Sequence, residues 1–181
     1  MAERDEAKQK QTLIFTYGTL KQGFANHGLM QDLISSNDAA FLGRYATVDP
    51  LPLVCGPQSV PFLLNLPGSG SHRVRGELYS VSDAGLVRLD HLEGISLGHY
   101  ECLPVQLLPD GAEAVGVAAE AYYAHRSFAK MLWLRAGQVG FSEYSEKESA
   151  GYVKKELRSK DRSFLEEIRL FVSASSSSSS M

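Results

Sequence analysis

Apolar and polar positions run along this chain in short blocks, and the period of the blocks changes. Residues 13–17, Leu-Ile-Phe-Thr-Tyr, are β-branched and aromatic and predict a first strand that stops at Gly18. Over residues 26–34, Leu29, Met30, Leu33 and Ile34 fall on one face of a short helix, a stripe that reads as core packing. Asn26 and His27 at its start suit either a cap or a brace for the loop before it. Residues 39–48 read as a strand ended by Asp49-Pro50. Residues 61–66 are an apolar run of strand length, residues 67–71 a dense Pro-Gly-Ser-Gly-Ser turn, and residues 74–81 a roughly alternating strand. Together these predict a hairpin with a long loop. Gly76 inside the second strand predicts a bulge or a close backbone approach.

A helix then starts at Ser82, a suitable N-cap, with Asp83 in its first turn and Gly94 as the residue that ends it. Leu86, Leu89 and Glu93 share one face, and Asp90 lies near the same side. Residues 100–108 and 115–123 are further strands, separated by a turn at 109–111. Segments 127–135 and 163–172 read as helices, the latter with Phe164, Ile168 and Phe171 or Val172 on one side. Residues 143–160 are charged, with Tyr144 and Tyr152 embedded. Several strands with short turns and an interposed helix suggest a small barrel or strongly curled sheet. The flanks read as a flexible leader over 1–11 and a disordered Ser-rich tail over 173–181, leaving 12–172 as a single domain.

Composition narrows the function. The chain has 181 residues, 44% of them hydrophobic and 22% charged, as in ordinary soluble domains. A net charge of −3 gives no electrostatic case for nucleic acid or an anionic membrane. No apolar run has the length to span a bilayer, and the mixed-charge first residues are not a secretory signal, so the expected compartment is cytoplasmic. Cys55 and Cys102 form no C-x-x-C pair and are expected as reduced thiols. The five histidines make no H-E-x-x-H arrangement, His91 and His99 read as solvated loop residues, and no G-x-S-x-G elbow is present.

Two places carry candidate chemistry. A strand that runs into Gly18 leaves backbone N–H groups able to cradle an anion. The spacing Gly18-x-x-x-x-Gly23 is that of a phosphate loop, but Phe24 and Ala25 stand where Lys and Ser/Thr are needed. An ordinary β-turn is the plainer alternative. Glu93, a carboxylate at the end of an apolar stripe, is either a rim residue or the floor of a pocket with a raised pKa.

The string Tyr17-Gly18-Thr19-Leu20-Lys21-x-Gly23-x-x-Asn26-His27 resembles the opening motif of the γ-glutamylcyclotransferase-like superfamily. Within it, the chain is most similar to γ-glutamylamine cyclotransferases and the plant avirulence-induced-gene-2-like (AIG2-like) proteins. Pro52-Leu53-Val54, the run from Pro61 to Gly70, Val74 to Val81, and Leu89-Asp90-x-Leu92-Glu93 follow in the family's order. The likeness spans 13–123 and weakens beyond. It implies an α+β fold, a small, mainly antiparallel β-barrel flanked by helices. It also implies an enzyme in which the α-amine of a γ-glutamyl group attacks its own γ-amide carbonyl, releasing 5-oxoproline and an amine. The expected substrates are γ-glutamylamines such as γ-glutamyl-ε-lysine.

By the same resemblance, Glu93 is the catalytic acid/base, and Tyr17, Gly18, Thr19 and Leu20 bind the glutamyl head. Tyr100 stands where the family has a site tyrosine, though a strand aromatic in the core is an equal reading; Tyr123 is a weaker candidate. The chemistry requires no cofactor and no metal. The expected partner is the small-molecule substrate alone, without nucleic acid or membrane, and the chain is expected to be a monomer. The alternative is a non-catalytic module that binds γ-glutamyl or other small ligands in a stress response. The last third departs most from the family and is the expected cover of the pocket mouth and selector of the leaving amine.

Overall fold

Among the described residues the chain forms seven strands and five α-helices. They are β1 (Gln11–Thr16), α1 (His27–Ser35), β2 (Ala39–Thr47), β3 (Leu53–Cys55), β4 (Pro61–Leu63), β5 (Arg75–Ser82), α2 (Asp83–Leu92), β6 (Tyr100–Pro109), β7 (Val117–Ala124), α3 (Ala129–Arg135), α4 (Glu146–Ser149) and α5 (Phe164–Ser173). They are seen in a computed structural model that describes residues 11–109 and 115–173.

The strands form one sheet in the order β1-β5-β2-β6-β7-β4-β3, and a further β1–β7 pairing closes five of them into a barrel. The four pairings β1–β5, β5–β2, β2–β6 and β6–β7 are antiparallel. The closing seam is parallel, with Ile14 opposite Glu120 and Phe15 opposite Ala121. Further along β7, β4 takes the place of β1, with Leu63 opposite Tyr123. The expected α+β barrel with flanking helices is therefore the observed fold, with one parallel seam in an otherwise antiparallel ring.

Successive side chains point to opposite faces of a strand. In β1, β4, β5 and β7 residues of both faces are buried. Phe15, Leu63, Leu78 and Tyr123 belong to one apolar cluster. Their chain neighbours Ile14, Phe62, Tyr79 and Tyr122 belong to another, which also holds Met30 of α1, Leu89 of α2, Trp133 of α3 and Ile168 of α5. Double burial explains why these strands read as near-continuous apolar runs.

Several expectations shift. The run at 61–66 is a strand only as far as Leu63: the Leu64 N–H still bonds its register partner, the Pro52 carbonyl, at 2.9 Å, but Pro52 has no N–H to return the bond. Its antiparallel partner is β3 rather than β5, so the predicted hairpin does not form. β5 instead pairs on both edges, with β1 and β2. β3 escaped the pattern because a three-residue strand between Pro52 and Gly56-Pro57 has no room for a period. Gln11, assigned to the leader, pairs with Ser82, and Tyr17 lies just past the end of β1. Ser173, assigned to the tail, is the last residue of α5. Residues 1–10 and 174–181 of those two segments, and 110–111 of the expected turn, lie outside the described residues.

The helix after β5 forms as its sequence dictates. The Ser82 hydroxyl oxygen accepts the Gly85 N–H at 3.1 Å and donates to Asp38 at 2.8 Å. Gly94 closes the helix in the left-handed region at φ +61°. No described helix is long and apolar enough to cross a membrane.

Of the two readings of Gly76, the structure takes the close approach; the bulge lies opposite, on β2 between Phe41 and Gly43. A Cβ at position 76 would drive into the Thr16 carbonyl oxygen and lie 2.8 Å from the Phe15 ring. Gly76→Ala is therefore expected to cost about 2–3 kcal/mol, measured as a lower urea midpoint at unchanged slope. An unshifted midpoint would mean that β1 and β5 can separate freely.

Candidate active site

Where β1 gives up β7 to β4, the chain leaves the sheet at Tyr17 and runs as a loop past the start of β4. Gly18 is required there: a Cβ would come 2.5 Å from Cγ of Pro61. The loop is braced from several sides. Asn26 Nδ2 donates to Thr19 Oγ1 at 2.8 Å, and His27 Nδ1 bonds the Leu20 carbonyl at 2.9 Å. Both residues hold the loop; Asn26 makes no side-chain cap to α1. The Glu77 carboxylate, buried beside Tyr79, accepts the Gln22 N–H at 3.0 Å. Buried Lys21 donates to the Tyr144 carbonyl at 2.7 Å. With the loop so fixed, the N–H groups of Gly18, Thr19 and Leu20 find no acceptor among the described residues, and all three residues line a cavity of about 500 Å³.

Tyr17, Glu93 and Tyr100 line the same cavity. The structure thus brings together the six residues to which the resemblance gives a site role, Tyr17, Gly18, Thr19, Leu20, Glu93 and Tyr100, and leaves out the weaker candidate Tyr123. That tyrosine belongs to the cluster on the other face of β7 and donates to the Pro104 carbonyl at 3.1 Å. Strand alternation puts its neighbour Tyr122 in the cavity wall instead. Tyr100 satisfies both of its readings. Its ring stacks on Phe62 at 4.9 Å, its hydroxyl donates to the Pro61 carbonyl at 2.8 Å, and it still lines the cavity.

Glu93 caps the C-terminal end of α2. Its carboxylate accepts no hydrogen bond from the described residues, though the residue keeps some exposure through the cavity. Burial pushes its pKa up to about 8, with Asp90 adding to the rise and Lys155 opposing it. The partial negative charge of the helix C-terminus acts in the same direction as burial. Burial also holds the Tyr17 and Tyr100 phenols well above their ordinary pKa, and Glu93 reinforces both. Tyr17 donates to the Tyr122 carbonyl, and the Tyr122 hydroxyl donates to Asp90 at 2.6 Å. The carboxyl thus shares the cavity wall with the Tyr17 and Tyr100 phenols, and Lys155 and Asp90 act on it in opposite directions.

Other wall residues carried little sequence signal. His99 is buried at 8% exposure rather than solvated, its imidazole kept neutral by burial and by Lys155 and Arg158. Gln58 lies in the left-handed region at φ 60°, and its Oε1 is buried without a donor at the cavity wall. Tyr152 accepts from Asn26 at 2.9 Å and so joins the loop to the C-terminal segment. That segment, with Lys155, Arg158 and Phe164, closes one side of the cavity. Cys55 and Cys102 are unpaired, and burial pushes each thiol up to about 12, which leaves both inert as nucleophiles at neutral pH. Among the described residues no cluster of His, Cys, Asp or Glu is placed to hold a metal ion.

A barrel whose seam adjoins a loop of free N–H groups and a desolvated carboxyl defines a recognisable class. The chain belongs to the γ-glutamyl cyclotransferase, AIG2-like family, whose model matches residues 14–138. It is 54% identical over 174 residues to an Arabidopsis thaliana protein provisionally named a γ-glutamylcyclotransferase, covering 90% of this chain and 92% of that one. It is 45% identical over 102 residues to the human γ-glutamylaminecyclotransferase, covering 55% of this chain and 65% of that one. The crystal structure of a mouse AIG2-like protein superposes with a TM-score of 0.65 at 31% identity, over 84% of this chain and 99% of that one.

The raised Glu93 pKa has a consequence for stability. The folded state holds this proton up to about pH 8, whereas the unfolded chain releases it near 4.5. Its contribution is therefore full below the unfolded value and is lost as pH rises towards 8. Glu93→Gln, which stays neutral, is expected to stabilise the protein by about 1–3 kcal/mol at pH 8.5 and by far less at pH 5. Urea unfolding at the two pH values measures the difference; an equal effect at both would place the carboxyl in solvent.

Proposed function

We propose that this protein is a γ-glutamyl cyclotransferase that closes the glutamyl group of a γ-glutamyl amide into 5-oxoproline and releases the amine. The observation that carries this reading is that one cavity is lined both by the N–H groups at 18–20 and by the Glu93 carboxyl, none of which has a hydrogen-bond partner among the described residues. The first suits the α-carboxylate of a glutamyl head. The second suits the proton transfers that ring closure needs.

The reaction requires no protein nucleophile. The neutral α-amine attacks the γ-carbonyl carbon, one C–N bond forms, and the bond to the leaving nitrogen breaks. Glu93 takes the proton released from the α-ammonium and delivers it to that leaving nitrogen. A carboxyl near its ordinary pKa of 4.5 would be a poor partner for an ammonium; one near 8 is closely matched to it. The loop, by gripping the carboxylate, folds the substrate so that amine and carbonyl touch, an orientation effect worth several kcal/mol. Hydroxyl and N–H donors at the cavity wall polarise the carbonyl as its oxygen gains charge. The buried Gln58 oxygen offers an acceptor to the ammonium before it is deprotonated. The human relative's name specifies γ-glutamylamines, and γ-glutamyl-ε-lysine is the substrate of this type to try first.

The direct test is 5-oxoproline release from γ-glutamyl-ε-lysine and other γ-glutamyl amides. Glu93→Gln is expected to lower kcat by about 10²- to 10⁴-fold. For the wild type, kcat/KM should rise with pH and level off once Glu93 is ionised, near pH 8. Near-normal turnover by the variant, or an acid limb at an ordinary carboxylate value, would remove Glu93 from the proton path.

A further inference from the structure

The C-terminal segment gives the cavity a charge that the cyclotransfer chemistry does not call for. Lys155, Arg158, Lys160 and Arg162 all line it, and Glu167 is the one carboxylate of that segment that does. None of the four cations has a carboxylate within ion-pair distance among the described residues, where the ion pairs are Arg88–Asp32 and Arg126–Glu101, both elsewhere. Arg158 is held in place. Its Nε donates to the Val153 carbonyl at 2.8 Å, and its guanidinium lies 5.0 Å from the centre of the Phe164 ring and 5.4 Å from that of Tyr152. Its two terminal nitrogens are left uncommitted. The positive field reaches the floor of the cavity, since Lys155 acts on Glu93 and both Lys155 and Arg158 act on His99.

Four like charges around one opening repel one another, and a fixed guanidinium fork without an acceptor fits a planar anion. In the reading above, which this inference rests on, the α-carboxylate of the glutamyl head already has the N–H groups of the 18–20 loop. The cations come from the C-terminal segment rather than from that loop, and in this inference they meet the leaving amine. We propose that this enzyme selects γ-glutamyl amides whose leaving amine carries an acid group, with Arg158 the principal recognition residue and Lys155 its support. An amine ending in a second ammonium would meet repulsion at the same place. γ-Glutamyl-ε-lysine carries both a carboxylate and an ammonium on its leaving side, so it does not separate these terms.

Three amides of nearly equal length separate them: γ-glutamyl-β-alanine, γ-glutamyl-propylamine and γ-glutamyl-1,3-diaminopropane, with acid, neutral and cationic ends. The wild type is expected to favour the acid over the neutral amide in kcat/KM by roughly tenfold or more, and the cationic amide is expected to rank last. The preference should shrink as salt rises. Arg158→Gln should collapse the acid-to-neutral ratio, and Arg158→Lys should restore part of it. The ratio is informative whatever total activity a variant keeps. Because Arg158 also packs on two rings, Lys155→Gln, an exposed change, serves as a second variant with a smaller fall in the ratio. Equal use of the acid and neutral amides by the wild type would overturn the inference while leaving the cyclotransferase reading intact. So would an Arg158→Gln variant that loses both activities in proportion, since the arginine would then serve the shared glutamyl head. Cyclisation of none of the three by folded protein that still cyclises γ-glutamyl-ε-lysine would overturn this inference alone; cyclisation of none of the four would overturn the cyclotransferase reading with it.

Discussion

One edge of a strand can be paired by only one neighbour at a time, and β7 has two candidates for the same edge. β1 holds it at Glu120 and Ala121, and β4 holds it at Tyr123. The changeover forces β1 to stop, and the residues that follow must cross the gap without sheet hydrogen bonds. That is why the N–H groups at 18–20 find no acceptor among the described residues. Their freedom is sustained by steric closeness. Gly18 presses on the Pro61 ring, and Asn26, His27, Glu77 and Lys21 fix the loop from behind. The cavity is the remainder of that geometry, and α2 ends at its edge with Glu93.

Much of this was legible in the sequence, for identifiable reasons. The abrupt stop of an apolar strand at Gly18 and the carboxylate at the end of the Leu86–Leu89 stripe are local breaks in a period, and a period can be read without a fold. The Ser82 cap and the Gly94 stop bound α2 by hydrogen-bond chemistry that needs no distant partner. The illegible parts depend on distant partners. β3 and β4 are three residues each and exist through one another and β7. The assignment of Tyr122 rather than Tyr123 to the cavity follows from which face of β7 meets α2, and the dipeptide does not carry that. His99 looked like a solvated loop residue because its burial comes from Gly94 and from Phe164, some 65 positions on.

The site divides along the chain. The match to the family's model ends at residue 138, within which lie the loop, Glu93, Tyr17, Tyr100 and Tyr122. The wall built by Tyr152, Arg158 and Phe164 comes after it. That segment is joined to the barrel by a few contacts of definite kind: the Asn26–Tyr152 bond, the Phe62–Phe164 stack and the packing of Ile168. The cationic side chains there lie outside the strands and outside the helix that carries the carboxyl.

The parallel seam sets a timetable for synthesis. β1, β2 and β5 can pair once residue 82 has left the ribosome, but the second edge of β1 has no partner until residues 117–124 follow. Over that interval a nascent sheet displays an apolar strand with an open edge, the kind of surface that recruits other growing chains. A ribosome stalled between these points would hold a partly folded, sticky product, so steady translation through β6 matters for clean maturation. The same interval is when a holding chaperone would have most to protect.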